Sequence, residues 1–184
     1  MPNVFWTADS HYGHRNMLKY YPKRGSTVED MDEMLIRNWN SVVKPGDTVY
    51  HCGDFAWSYK DTELEKLVRR LNGQIHLILG NHDHKGYKSY RGFAWVGQPY
   101  QGKMVKIGDQ SVYCAHYAHT TWAQSHRGTW HVFGHSHGNL QDGAEAGKLR
   151  CDVGVDAWDY YPVSMEQLRA VMERKKFEAV DHHR

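Results

Sequence analysis

The sequence predicts an α/β domain built on a mixed sheet, or on two stacked sheets, with helices packed outside. Three observations carry that expectation. Strand-length apolar runs alternate with stretches of helical periodicity in the first half. The second half turns to short strands separated by glycine. Polar loops of histidine, aspartate and glycine follow one strand after another, and open α/β sheets gather ligands at such strand ends. At 184 residues, a single domain over 1–184 is expected, large enough for a core of two or more layers.

The elements follow in order. Asn3 to Ala8 reads as a buried strand ending at Asp9-Ser10-His11, followed by a polar stretch from Gly13 to Gly25. Ser26 with Glu29 fits a capping box, and Met31, Met34, Leu35, Trp39 and Val42 recur at helical spacing, so a helix is expected over 28–42. Pro45-Gly46 breaks the chain, and Asp47 to Cys52 is a second strand leading into Gly53-Asp54. Leu64, Leu67, Val68 and Leu71 form the apolar stripe of a second helix, closed by Asn72-Gly73. Ile75 to Leu79 is a third strand, opening into Gly80-Asn81-His82-Asp83. Val96, Met104 to Ile107 and Val112 to Ala115 are short strands, with Gly108-Asp109 as a hairpin signal. A polar and aromatic segment, Thr120 to Gly128, leads to a strand over Trp130 to Phe133. A glycine-rich loop (Asn139 to Lys148), a strand (Cys151 to Val155) and an amphipathic helix (Met165 to Arg174) complete the chain.

Composition narrows the function classes. Hydrophobic residues make up 40% and charged ones 24%, and 23 basic against 21 acidic residues leave a net charge of +2. That gives a weak electrostatic case for a nucleic-acid or membrane surface. Arg69-Arg70 and Arg174-Lys175-Lys176 read as solvated helix faces. No segment has the pattern of a secretory signal or the length of a membrane span, so a cytoplasmic location is expected. Cys52, Cys114 and Cys151 are widely separated and read as reduced core residues, which excludes a structural zinc knuckle. The outlying figure is 14 histidines, the commonest metal ligand among side chains.

Val132-Phe133-Gly134-His135-Ser136-His137-Gly138 shows how those histidines are used. An apolar run feeds two histidines spaced by two, which project to one side of an extended chain, with glycines allowing tight turns beside them. Two such imidazoles are half of a metal cage. Four earlier stretches supply more: Asp9-Ser10-His11, Gly53-Asp54, Gly80-Asn81-His82-Asp83 and His116, each after a strand. By contrast His51, His76 and His131 lie within strands and read as core or partner-bonded, and His182 and His183 belong to a tail.

In order and spelling these five stretches resemble the calcineurin-like metallophosphoesterases, whose pattern is D-x-H, G-D-x-x-R, G-N-H-[D/E], H and G-H-x-H. The resemblance covers nearly the whole chain. The flanking Tyr12-Gly13-His14 and Asp152 to Asp156 are similar to small single-domain members of bacteria and phages. It implies a four-layer αββα sandwich of two stacked mixed sheets flanked by helices, and a pair of divalent transition-metal ions. Asp9, His11 and His137 would hold one ion and Asn81, His116 and His135 the other, with Asp54 shared between them. Manganese leads the candidates, with Fe, Zn, Co or Ni also suited to nitrogen and oxygen ligands without thiolate. Two dications neutralise a phosphate ester and acidify the attacking water. His82 is expected as the proton donor to the leaving group, with Asp83 orienting it.

The chain departs from the pattern at one point. It reads Gly53-Asp54-Phe55-Ala56-Trp57, without the arginine of G-D-x-x-R, so His14 and Arg15 are expected to supply the missing substrate contacts. His119 and His126 are further candidates for lining the cleft, and Trp57, Tyr117 and Trp122 read as packed rather than as a stacking surface for a base. The expected activity is hydrolysis of small phosphate esters, nucleotides included, with diesters somewhat ahead of monoesters. A silent scaffold of the same fold and a nuclease are the alternatives. The filled ligand positions argue against the first, and the thin net charge against the second.

Overall fold

Side-chain alternation along β1 (Val4–Thr7) sets the layering. Phe5 joins one core cluster with Met31, Leu35, Trp39, Leu64 and Leu67, all from helical segments. Its neighbour Trp6 joins a second cluster with Cys52, Ile78, Val112 and Val132, drawn from both sheets. The computed structural model describes residues 2–98, 100–140 and 148–179. In the first sheet β1, β2 (Thr48–His51), β3 (Gln74–Leu77) and β4 (Trp95–Val96) run parallel, and β9 (Val163–Ser164) pairs antiparallel with β1. In the second, β5 (Lys103–Ile107) and β6 (Gln110–Cys114) form a hairpin, and β7 (Trp130–Phe133) and β8 (Arg150–Asp152) continue from β6 in parallel. The strand orders are β4-β3-β2-β1-β9 and β5-β6-β7-β8. The chain is thus α/β, with two mixed sheets flanked by helices.

Among the described residues the α-helices that accompany the sheets are α1 (Met17–Tyr20), α2 (Val28–Val42), α3 (Asp61–Val68) and α4 (Met165–Met172). The expected bounds of α2 hold, but its cap does not. Thr27 Oγ1 accepts from Asp30 N at 3.0 Å and Asp30 Oδ2 accepts from Thr27 N at 3.2 Å, so the box sits one residue beyond Ser26 and Glu29. α4 adds Leu168 and Met172 to the core between the sheets.

Three local expectations differ. The polar stretch after the first loop contains α1, a single turn too short to show a period. β9 has two residues and escapes detection for the same reason. The strand expected over Cys151 to Val155 ends at Asp152, where its Oδ1 accepts from Gly154 N at 2.7 Å. The chain then enters a short 3-10 helix, Val155–Ala157. Residues 141–147 of the expected glycine-rich loop, and the tail with His182 and His183, lie outside the described residues.

Candidate metal centre

Six parallel strands, three in each sheet, deliver the loops that matter. Asp9 and His11 follow β1, Asp54 follows β2, Asn81 and His82 follow β3, His116 follows β6, His135 and His137 follow β7, and Asp156 lies beyond β8. Backbone bonds stitch them: Asp9 N donates to Gly53 O and His11 N to Asp54 O, both at 3.0 Å. His135 N donates to Asp9 Oδ1 at 2.9 Å, joining the sheets. Asp9, His11, Asp54, His135 and His137 all take positive φ, between 48° and 67°. Such backbones are uncommon outside glycine and cluster at functional sites. At Gly53, with φ +97°, a Cβ would come within 2.6 Å of His116 Nδ1 and 2.7 Å of Gly80 N, so only glycine lets these loops meet.

The ligand atoms fall into two groups. Asp9, His11 and His137 form one, and Asp54, His116 and His135 the other, each with atoms within 4.8 Å of one another. Asp54 Oδ2 stands between them, 3.5 Å from His11 Nε2 and 3.5 Å from His116 Nε2. Asn81 Oδ1 lies 2.9 Å from His116 Nε2 and 3.1 Å from His135 Nδ1. His116 Nδ1 donates to Cys52 O at 2.8 Å, which leaves Nε2 as a lone pair facing two oxygens. In the other group Asp9 Oδ2 is buried with no hydrogen-bond partner among the described residues. Burial pushes the Asp9 carboxyl up and the His11 and His116 imidazoles down, so the apo pocket favours neutral groups. Imidazole nitrogens, carboxylate oxygens and one amide oxygen converging in this way fit divalent cations.

Behind these groups lies a layer that sequence reasoning missed. His137 Nδ1 donates to Asp156 Oδ2 at 2.7 Å, which fixes the tautomer with Nε2 turned toward the group. Asp156 is held by Arg24, whose Nε and Nη2 donate to its two oxygens at 2.9 and 2.6 Å. The same buried guanidinium donates to Asp9 O and Ser10 O, both at 2.8 Å. One arginine therefore fastens the loop after β1 to the segment after β8. Arg24 sits in Pro22-Lys23-Arg24-Gly25, where nothing in the sequence separates it from a surface base. Asp156 was visible only as part of the stretch from Asp152.

The other expected site residues separate. His82 is exposed beside the two groups, its ring centroid 5.4 Å from that of His11, and its N–H donates to Asp54 Oδ1 at 2.9 Å. Asp83 does not orient it. Its carboxylate accepts from Asp54 N, Phe55 N and Gly80 N at 2.7–2.8 Å, and among the described residues no hydrogen bond joins it to His82. With these three backbone donors Asp83 instead clamps the loops after β2 and β3. Burial, with the nearby Asp54 charge, pushes its carboxyl up to about 7. His14 lines a cavity of about 580 Å³ with His11, His82 and His137, and its ring stacks on Trp57. Arg15 is exposed and, like His119 and His126, is not among the residues lining that cavity. His131 is buried and partner-bonded, as expected. Trp122 is packed, donating to Thr129 O at 2.8 Å.

Comparison with known proteins bears on this geometry. The family model of the calcineurin-like phosphoesterase superfamily domain matches residues 4–154. An uncharacterized protein of Methanocaldococcus jannaschii is 29% identical over 180 residues, covering 96% of this chain and 94% of that one. The Gene 66 protein of Mycobacterium phage L5 is 26% identical over 184 residues, covering 86% and 88%. A solved structure of a protein of unknown function from Aquifex aeolicus shares the fold, with a TM-score of 0.72 at 20% identity over 93% of this chain and all of that one. With a family match over residues 4–154 and candidate ligand groups gathered at the strand ends, the chain belongs to the calcineurin-like phosphoesterase superfamily.

Proposed function

We propose that this protein hydrolyses phosphate esters with a pair of divalent transition-metal ions, manganese foremost, and takes diesters in preference to monoesters. The observation that carries the reading is the position of Asp54 Oδ2, equidistant at 3.5 Å from an imidazole of each ligand group. Asp9, His11 and His137 would hold one ion and Asn81, His116 and His135 the other, with Asp54 common to both. The chemistry such ions would supply is charge neutralisation of the ester and a lowered pKa for the attacking water. Two carboxylates against two dications leave the site positive, which favours an anionic substrate. His82 stands where it can pass a proton to the departing oxygen, its backbone tied to Asp54 so that acid and ligand keep register. His14 backs His11, their Nδ1 atoms 3.4 Å apart, and limits the room around the substrate. The adjoining cavity presents no Lys or Arg among the described residues, which supports a singly charged diester over a dianionic monoester. Metal-depleted protein should be inactive on bis-nitrophenyl phosphate and nitrophenyl phosphate, recover with about two manganese ions per chain, and favour the diester. Failure to take up metal, or to turn over either ester when loaded, overturns the reading.

A further inference from the structure

The cavity beside His11 and His137, at about 580 Å³, has the size of a small-molecule site. Its chemistry differs from a phosphate clamp. Trp57 stands three residues after Asp54, where the G-D-x-x-R pattern has arginine. Among the described residues no lining side chain is Lys, Arg, Asp or Glu, so a second phosphate or a carboxylate would meet no counter-charge there. Aromatic surface takes the place of charge. The Trp57 and His14 rings are parallel, with centroids 4.1 Å apart and 6° between planes. His14 is 9% exposed, while Trp57 keeps 38% and Tyr20 71%. With its indole braced by His14, Trp57 is ordered before anything binds, which lowers the entropic cost of stacking. Asn16 and Asn139 also line the cavity and carry both donors and acceptors, as a ring bearing heteroatoms requires. His82 lines the same space, so the group that departs from phosphorus is the group that occupies it.

We propose that this cavity is a leaving-group subsite for a planar heteroaromatic group of nucleoside size, stacked on Trp57. The substrate class is then a phosphodiester whose departing alcohol carries a base, rather than a polyphosphate, a simple sugar phosphate or a phosphoprotein. This deepens the phosphoesterase reading and rests on it. Hydrolysis breaks the bond from phosphorus to that alcohol's oxygen and forms one to the oxygen of water. The alcohol leaves with a proton from His82, and the other product is a phosphomonoester.

The test uses metal-loaded protein and three probes, inorganic phosphate, ribose phosphate and adenosine monophosphate, titrated by calorimetry and as inhibitors of bis-nitrophenyl phosphate hydrolysis. Wild type should bind adenosine monophosphate roughly tenfold or more tightly than ribose phosphate, the range expected for one stacked base. Trp57→Ala should erase that ratio while leaving ribose phosphate unchanged, and Trp57→Phe should keep most of it. Equal affinity of the two probes in wild type overturns the proposal whatever the variants do. So does a Trp57→Ala protein that weakens both probes alike. Absence of any esterase activity in wild type would sink the broader reading instead, and the ratio of probe affinities reads the subsite separately.

Discussion

At the scale of single residues, position and chemistry can be told apart. His82 is tied to the ligand groups through its backbone, N–H to Asp54 Oδ1, so truncating its side chain keeps that bond and tests the proton transfer proposed for it. His82→Ala should slow hydrolysis of alkyl diesters by about a hundredfold, the usual worth of a general acid. Nitrophenyl esters, whose leaving group needs little protonation, should lose far less; equal losses on both would rule out proton donation. Asp156 accepts from His137 Nδ1 and is not among the residues that line the cavity beside His11 and His137. Asp156→Asn should weaken metal binding by roughly 10- to 100-fold, measured by chelator competition, because the imidazole loses the carboxylate that fixes its tautomer and raises its basicity. An unchanged metal affinity would make Asp156 only a partner for Arg24. The Asp83 expectation failed for a physical reason visible here: a carboxylate goes to unpaired donors within reach, and three backbone N–H groups lie within 2.7–2.8 Å of it.

At the scale of elements, apolar periodicity was a sound guide and cap chemistry a poorer one. α2 runs over Val28–Val42 as its spacing of Met31, Leu35 and Trp39 requires, since those side chains are buried at 2% exposure or less against β1 and β3 neighbours. Two adjacent hydroxyls, Ser26 and Thr27, could each cap it, and the choice fell to the one whose acidic partner, Asp30, closes the box. Thr27→Ala should therefore cost about 1 kcal/mol and lower Tm by about 2–4 °C. Ser26→Ala should do little, and calorimetric scans of the two variants decide between the caps. α1 and β9 left no period to read, because one is a single turn closed by local backbone bonds and the other two residues that pair with β1.

At the scale of the whole molecule, the second sheet buries a histidine that reports on stability. His131 donates from Nδ1 to Tyr113 O at 2.9 Å, and its Nε2 accepts from His119 N at 3.1 Å and lies 3.2 Å from Tyr117 O. Burial lowers its pKa from 6.5 to about 4. Above 6.5 the ring is neutral folded and unfolded. Between there and about 4 only the unfolded chain takes up the proton, so stability falls as pH falls, by about 3 kcal/mol in all. Asp83, raised by burial, pulls the other way over an overlapping window. The difference between wild type and His131→Gln isolates the imidazole: urea midpoints of the two should diverge less at pH 4.5 than at pH 7. A constant difference would show that His131 does not titrate with unfolding.

The sequence by itself determined the alternation of strands and helices, and which polar residues stand at each strand end, because backbone periodicity and loop placement are local. It could not determine that Arg24 reaches Asp156 across 132 positions, that Asp83 turns to the backbone, or that Trp57 rather than Trp122 faces the cavity. Those outcomes depend on which buried donor meets which acceptor once two sheets face each other, and only the packed chain brings such groups within hydrogen-bond reach.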